Sequence, residues 1–362
     1  NFQKQFSSYL DSRKPNDNLK IKIVKQIISE VKKNRDQSLV KFEKKFSKFK
    51  KLSKNNLVFS KSEINKIIKQ LDKKTKSSIN IAFKRIYNFH KNQKFKDFKI
   101  LDNYRNSLSY RSMPLEKIGV YVPGGTANYP SSVLMNCIPA IVAGVKEIYV
   151  TVPCLGKKIN PGVLYAAQKC KVKKIYKLGG AQAIAAFAYG TQTINKVDKI
   201  VGPGNEYVAL AKKEVFGEVG IDMFAGPSEV TIIADKYSNP DWIAADLIAQ
   251  AEHDAMSQSI LITDNKKIIM KVKKALGYQI KFLPKKRIAM KSLKKFGVAV
   301  LAKNSSEISN ITNKIAPEHL EILTAVEAGN SEQAMAAARS HMRLIGNELE
   351  DFIASLSNKL QK

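Results

Sequence analysis

A chain of 362 residues, 44% hydrophobic and 26% charged, is long enough for two domains and has a globular balance. No run reaches the roughly 20 apolar residues that cross a bilayer. The 3 cysteines, Cys137, Cys154 and Cys170, form no CxxC pair, which excludes a disulfide framework and fits a reducing, cytoplasmic setting. The net charge of +31 is mostly lysine, scattered in pairs such as Lys32-Lys33 and Lys73-Lys74. Arginine is scarce and no aromatic-interleaved basic stripe occurs, so neither a nucleic-acid nor a membrane partner is expected.

Residues 1 to about 100 have helical periodicity. Ile23, Val24, Ile27, Ile28 and Val31 form one apolar face, and Asn34-Arg35-Asp36 breaks the pattern before Leu39, Val40 and Phe42. A second helical stretch runs from Lys61 to about Asn92, with Ser62 as the expected N-cap. From Ile118 the texture changes. Strand-type runs at 118–122, 147–153, 174–179, 199–204 and 229–235 alternate with helical segments at 131–144, 161–170, 181–190 and 205–216. Later strands are expected at 259–263 and 298–303, flanking a lysine-rich helix near Lys266–Leu276. Such alternation with short Gly/Pro turns predicts α/β units on mainly parallel sheets.

Glycine loops cluster at the ends of the predicted strands: Pro123-Gly124-Gly125, Gly179-Gly180-Ala181-Gln182, Gly202-Pro203-Gly204-Asn205 and Ala225-Gly226-Pro227-Ser228. Ligands of parallel α/β sheets bind outside the carboxyl ends of the strands, and helix N-termini there favour anions. The G-x-G-x-x-G fingerprint is absent, so tight turns and a dinucleotide crevice both remain open from the loops alone.

Asp241 to Gln258 is expected to form one helix. Gln250 and His253, three apart, would lie on one face with Cβ atoms about 5–6 Å apart, within reach of a common metal ion. A polar surface face is the alternative. Adjacent Glu318 and His319 offer two proton-transfer groups of different resting pKa, or else a helix-capping surface pair.

Taken in order, IGVYVPGGTANYPSSVLMNCIPAIVAG, GGAQAIAAFAYGT, VDKIVGPGNEYV, IDMFAGPSEV, DLIAQAEHDAMSQ and APEHLEI resemble the histidinol dehydrogenase family over roughly residues 15 to 325. The resemblance implies a homodimeric, NAD- and zinc-dependent enzyme of histidine biosynthesis. It would oxidise L-histidinol through the aldehyde to L-histidine. It assigns Gln250 and His253 to the metal and to the substrate, and Ser228 and His319 to the substrate. Glu318 and His319 become the acid–base pair, and Tyr121, Gln182 and Asn205 the NAD contacts.

After Leu323 the sequence departs from the family pattern. The expected glycine-rich segment with an aspartate zinc ligand is missing, and so is the family's C-terminal histidine. The tail instead predicts a helix from Ser331 to about Leu360 that contains His341. Reduced zinc affinity and turnover are expected, and a non-catalytic NAD-binding or interaction protein on the same fold is the alternative function. The predicted architecture is two Rossmann-like α/β domains with a helical N-terminal region. Residues 1–120 with 229–324 would form a discontinuous first domain, 121–228 a second domain bearing the NAD crevice, and 325–362 a helical tail.

Overall fold

The computed structural model describes residues 6, 18–47, 49, 51–124, 130–154, 159–223, 228–316 and 319–323. The chain divides into two compact units, one of residues 11–226 and one of 1–10 with 227–362. The predicted tail helix and His341 lie outside the described residues.

Among the described residues the larger unit opens with four α-helices: α1 (Asn18–Asn34), α2 (Asp36–Phe46), α3 (Lys61–Ile68) and α4 (Lys73–Lys91). The α3 cap is Ser60 rather than Ser62. Its hydroxyl accepts from the Glu63 N–H while the Glu63 carboxylate accepts from the Ser60 N–H, a reciprocal capping box. A ribbon of β1 (Phe98–Leu101) and β2 (Ser107–Tyr110) follows, which the sequence reading did not anticipate.

Five parallel strands come next: β3 (Lys117–Tyr121), β4 (Glu147–Thr151), β5 (Lys174–Tyr176), β6 (Lys199–Val201) and β7 (Gly220–Ile221). Between them run α5 (Pro130–Ala143), α6 (Pro161–Lys169), α7 (Gly180–Tyr189) and α8 (Glu206–Val215). The strand order is β5-β4-β3-β6-β7. The chain therefore winds outward from β3 in one direction, returns to the centre, and winds outward in the other. This is a doubly wound sheet with its switch point between β3 and β6. Near-continuous apolar strands such as Ile118, Val120 and Tyr121 fit a sheet buried on both faces.

The N-terminal helices cover this sheet's own helices. Helix α1 packs on α7 and α8, while α3 and α4 pack on α5 and α6. One apolar core joins Val24, Ile27 and Leu39 to Val120, Ile184 and Phe187. This corrects the expected division, in which residues 1–120 belonged with 229–324. Periodicity identifies a buried helix face but carries no label for the sheet it covers. The stretch before α3 also closes the β5 edge: the Phe59 N–H donates to the Ile175 carbonyl at 2.9 Å and the Lys177 N–H to the Leu57 carbonyl at 2.7 Å.

The smaller unit holds β8 (Glu229–Ala234), α9 (Pro240–Ala251), β9 (Gln258–Thr263), α10 (Lys266–Gln279), α11 (Lys286–Phe296), β10 (Gly297–Leu301), α12 (Ser305–Ile315) and β11 (His319–Leu323). All strands are parallel in the order β10-β9-β8-β11. Alternate β9 residues face opposite layers: Leu261 packs with Ile243, Leu247 and Val272, and Ile260 and Ile262 with Val300, Ile311 and Ile315. Both units are thus mixed α/β on mainly parallel sheets, as the sequence predicted. Among the described residues no helix is long and apolar enough to cross a membrane.

Candidate functional site

The candidate residues divide between the two units. In the larger unit the carboxyl edge at the switch point is tightly built. Gly202, just after β6, has φ +111°, and a Cβ there would lie 2.2 Å from the Tyr121 carbonyl oxygen at the end of β3. Only glycine fits that approach. Its N–H donates to Asp222 at 2.8 Å and its carbonyl accepts from the buried Lys212 ammonium at 2.9 Å, while Lys212 and Asp222 pair directly. The turn leads into α8, whose first turn is capped by Asn205: its side-chain oxygen accepts from the Val208 N–H at 3.1 Å. Asn205 is exposed.

Tyr121 and Gln182 are buried, 3% and 2% exposed. The Tyr121 hydroxyl accepts from the Gly180 N–H at 3.0 Å, and burial pushes its pKa up to about 12, so it stays a neutral phenol. The Gln182 amide donates to Glu43 at 2.8 Å, and the Gly179 N–H donates to the same oxygen at 2.8 Å. Glu43 lies on α2 and is fully buried. The first N–H groups of α7, which the loop pattern offers to an anionic ligand, are therefore satisfied by a protein carboxylate and a phenol. Tyr121, Gln182 and the Gly202 turn share one edge of the sheet. Glu43, Lys212 and Asp222 are polar groups of this edge that the sequence reading missed. A Glu in FEKKF and a Lys in AKKEV read as surface positions, and nothing in their local pattern marks them as buried.

In the smaller unit the candidates gather at the amino ends of the strands. Ser228 immediately precedes β8, and its carbonyl accepts from the Gln258 N–H at 3.0 Å at the start of β9. His319 opens β11, its Cα in register with Val230 of β8. Gln250 lies in the last turn of α9 and His253 in the turn that follows. The expected helix of 241–258 stops at Ala251. Beyond it the Asp254 carboxylate accepts from the Met256 N–H at 2.8 Å, an Asx turn that redirects the chain into β9. The Gln250–His253 spacing survives because the His253 N–H still donates to the Gln250 carbonyl, at 3.3 Å. Glu318 and the side chain of His319 lie outside the described residues.

Two features give this edge the character of a binding site. The Gln250 amide nitrogen is shielded from solvent and has no hydrogen-bond partner among the described residues, a costly state unless a ligand completes it. His253 is exposed, yet the surrounding protein desolvates its ring and Lys285 repels a charge on it, which together lower its pKa; Glu252 opposes weakly. A depressed pKa keeps the imidazole neutral and able to accept a hydrogen bond or ligate a metal. As a zinc site the described set falls short: among the described residues no group of three His, Cys, Asp or Glu side chains could hold a metal. Gln250 and His253 give two donors where zinc takes at least three from protein.

The histidinol dehydrogenase family profile matches residues 11–340. A histidinol dehydrogenase of Pelagibacter ubique is 52% identical over 326 residues, spanning 90% of this chain and 75% of that protein. Another, of Rhizobium meliloti, is 45% identical over 90% of this chain and 74% of its own length. The crystal structure of histidinol dehydrogenase from Elizabethkingia anophelis superposes with a TM-score of 0.78 at 38% identity, over 86% of this chain and 72% of that one. These likenesses favour an oxidoreductase over the non-catalytic alternative. Fold, motif order and relatives agree: the chain belongs to the histidinol dehydrogenase family.

Proposed function

We propose that the chain oxidises L-histidinol to L-histidine by way of L-histidinaldehyde, with two NAD in succession accepting the two hydrides. The observation that carries this reading is the convergence of Ser228, Gln250, His253 and the His319 backbone on the amino edge of one four-stranded sheet. A neutral His253 can accept a hydrogen bond from a cationic amine, and the unpartnered Gln250 amide offers a donor. Ser228, exposed just before β8, adds a hydroxyl on the same edge of the sheet. His319 takes the hydroxyl proton in the first oxidation and also contacts the substrate. Glu318 draws a proton from the water that adds to the aldehyde.

For NAD, the residues of the larger unit fit. The switch point between β3 and β6 is where doubly wound sheets take nucleotides. Tyr121, Gln182 and Asn205 would hold the dinucleotide there. Zinc is different: two described donors do not complete a site, and no step is assigned to the metal. Were it bound, Gln250 and His253 would be its ligands on this edge.

A homodimer belongs to the same proposal. Every residue of β1 and β2 is exposed, including Phe98, Ile100, Leu101, Leu108 and Tyr110. A two-stranded ribbon is marginal in water on its own, so a covering partner supports the dimer reading.

The test is to incubate the full chain with L-histidinol and NAD while following NADH and histidine together. Two NADH per histidine are expected. No histidinol-dependent NADH would remove the proposal. Metal analysis of the same preparation checks zinc directly.

A further inference from the structure

The α7 start is buttressed by a residue 136 positions earlier in the chain. The Glu43 carboxylate is fully buried and accepts three hydrogen bonds: from the Ser47 hydroxyl at 2.5 Å, the Gly179 N–H at 2.8 Å and the Gln182 amide nitrogen at 2.8 Å. The Gly179 N–H and the Gln182 amide nitrogen meet one and the same Glu43 oxygen as acceptor, which commits the donor end of the Gln182 amide inward. The acceptor end, Oε1, is left beside Gly180, 2.8 Å from the point a Cβ on that glycine would occupy. The same loop is pinned by the Tyr121 hydroxyl on the Gly180 N–H and by Gly179 lying on Pro153, where a Cβ would come within 2.6 Å of the proline Cγ.

We propose that Glu43 is a positioning residue of the dinucleotide site: through Gln182 and Gly179 it fixes the α7 entry and presents Gln182 to the ligand solely as a hydrogen-bond acceptor. The ligand group so recognised is a donor, such as a ribose hydroxyl or a carboxamide N–H. The inference rests on the proposal that NAD binds at this edge. It assigns a recognition role to α2, an element of the lysine-rich N-terminal region, acting through Gln182 and Gly179.

Glutamine at position 43 can donate as well as accept, which frees the Gln182 amide to turn over. The experiment is equilibrium NAD binding to the full chain for wild type, Glu43→Gln, Gln182→Ala and the double variant, with thermal midpoints measured alongside. Loss of one oriented hydrogen bond is expected to weaken NAD binding about tenfold in Glu43→Gln. In the Gln182→Ala background the same change should have no further effect on binding, while its effect on the thermal midpoint persists. Unchanged binding in Glu43→Gln, or losses that multiply in the double variant, would overturn the role. Should Glu43→Gln not fold, Ser47→Ala loosens the carboxylate without removing it. It should weaken NAD binding about threefold, again only when Gln182 is present, and wild-type affinity would overturn the role equally. A wild-type chain that binds no NAD overturns the cofactor reading itself. Wild-type binding without the Glu43 effect overturns only the inference.

Discussion

Lys212 reaches from inside α8 to the carbonyl of Gly202, 2.9 Å away, and closes a triangle with Asp222, which holds the same residue's N–H. A charged side chain only 2% exposed thus fixes both polar atoms of one peptide turn. Removing the ammonium leaves Asp222 without its counter-charge and the Gly202 carbonyl without its donor. Because Asp222 is partly solvated, Lys212→Met should destabilise the chain by about 2–3 kcal/mol rather than the larger figure of a fully enclosed pair. Urea denaturation measures it, and wild-type stability would show that the triangle contributes nothing net.

Gly202→Ala should be at least as damaging, by about 2 kcal/mol or more, since φ +111° and the Tyr121 carbonyl both oppose a Cβ. A crystal structure of the variant with an undisturbed turn would contradict this account.

Glu43 makes stability depend on pH in a definite direction. Burial raises its pKa above the ordinary 4.5, and the bonds from Ser47, Gly179 and Gln182 only partly offset that. The folded chain therefore holds the proton more tightly than the unfolded one. Glu43's contribution is fully present below the unfolded value and is lost as pH rises through the raised folded value. Across that window, from 4.5 upward, wild type should lose stability relative to Glu43→Gln. Denaturation midpoints of the two proteins over a pH series test this, and a constant difference between them would refute it.

His253 should titrate below an ordinary histidine in the metal-free chain, as followed by ring proton shifts in NMR. Lys285→Ala removes one of the two causes and should move the titration upward. Here the folded form binds the proton less tightly, so the contribution to stability is present above the unfolded value and is lost as pH falls through it towards the folded value. No response to Lys285→Ala would show that desolvation acts alone.

The exposed ribbon offers a test of assembly. Ile100 and Leu108 face each other across β1 and β2. Replacing both with lysine should convert a dimer to monomer in sedimentation, with little change in the fold of a segment whose residues are all exposed. A dimer that persists would place the seam elsewhere.

Much of this molecule was legible before any coordinates. Strand starts at Glu147, Lys174, Lys199 and Glu229 follow the apolar runs, because strands buried on both faces leave an unbroken hydrophobic record. Their ends were overestimated where apolar residues run on past the last paired residue, as at Val152-Pro153 beyond Thr151. What stayed hidden was non-local. The partner sheet of α1 to α4 depends on which surface is left uncovered. The burial of Glu43 and Lys212 depends on contacts across the sheet. The stop of α9 at Ala251 depends on one Asx turn. Of the proposed site, the sequence nominated Tyr121, Gln182, Asn205, Ser228, Gln250, His253, Glu318 and His319, while neighbours such as Glu43 and Lys212 came only with the fold.

The closure of the β5 edge by residues 57–59 carries a consequence for biosynthesis. The ribosome makes that segment long before the strand it will cover, so it spends that interval unpaired. An apolar stretch such as Leu57-Val58-Phe59 would then be a seed for sticking to other chains. Lys51, Lys54 and Lys61 stand on either side of it as charged gatekeepers. Part of the lysine excess in this chain thus flanks an apolar segment whose pairing partner is made more than a hundred residues later.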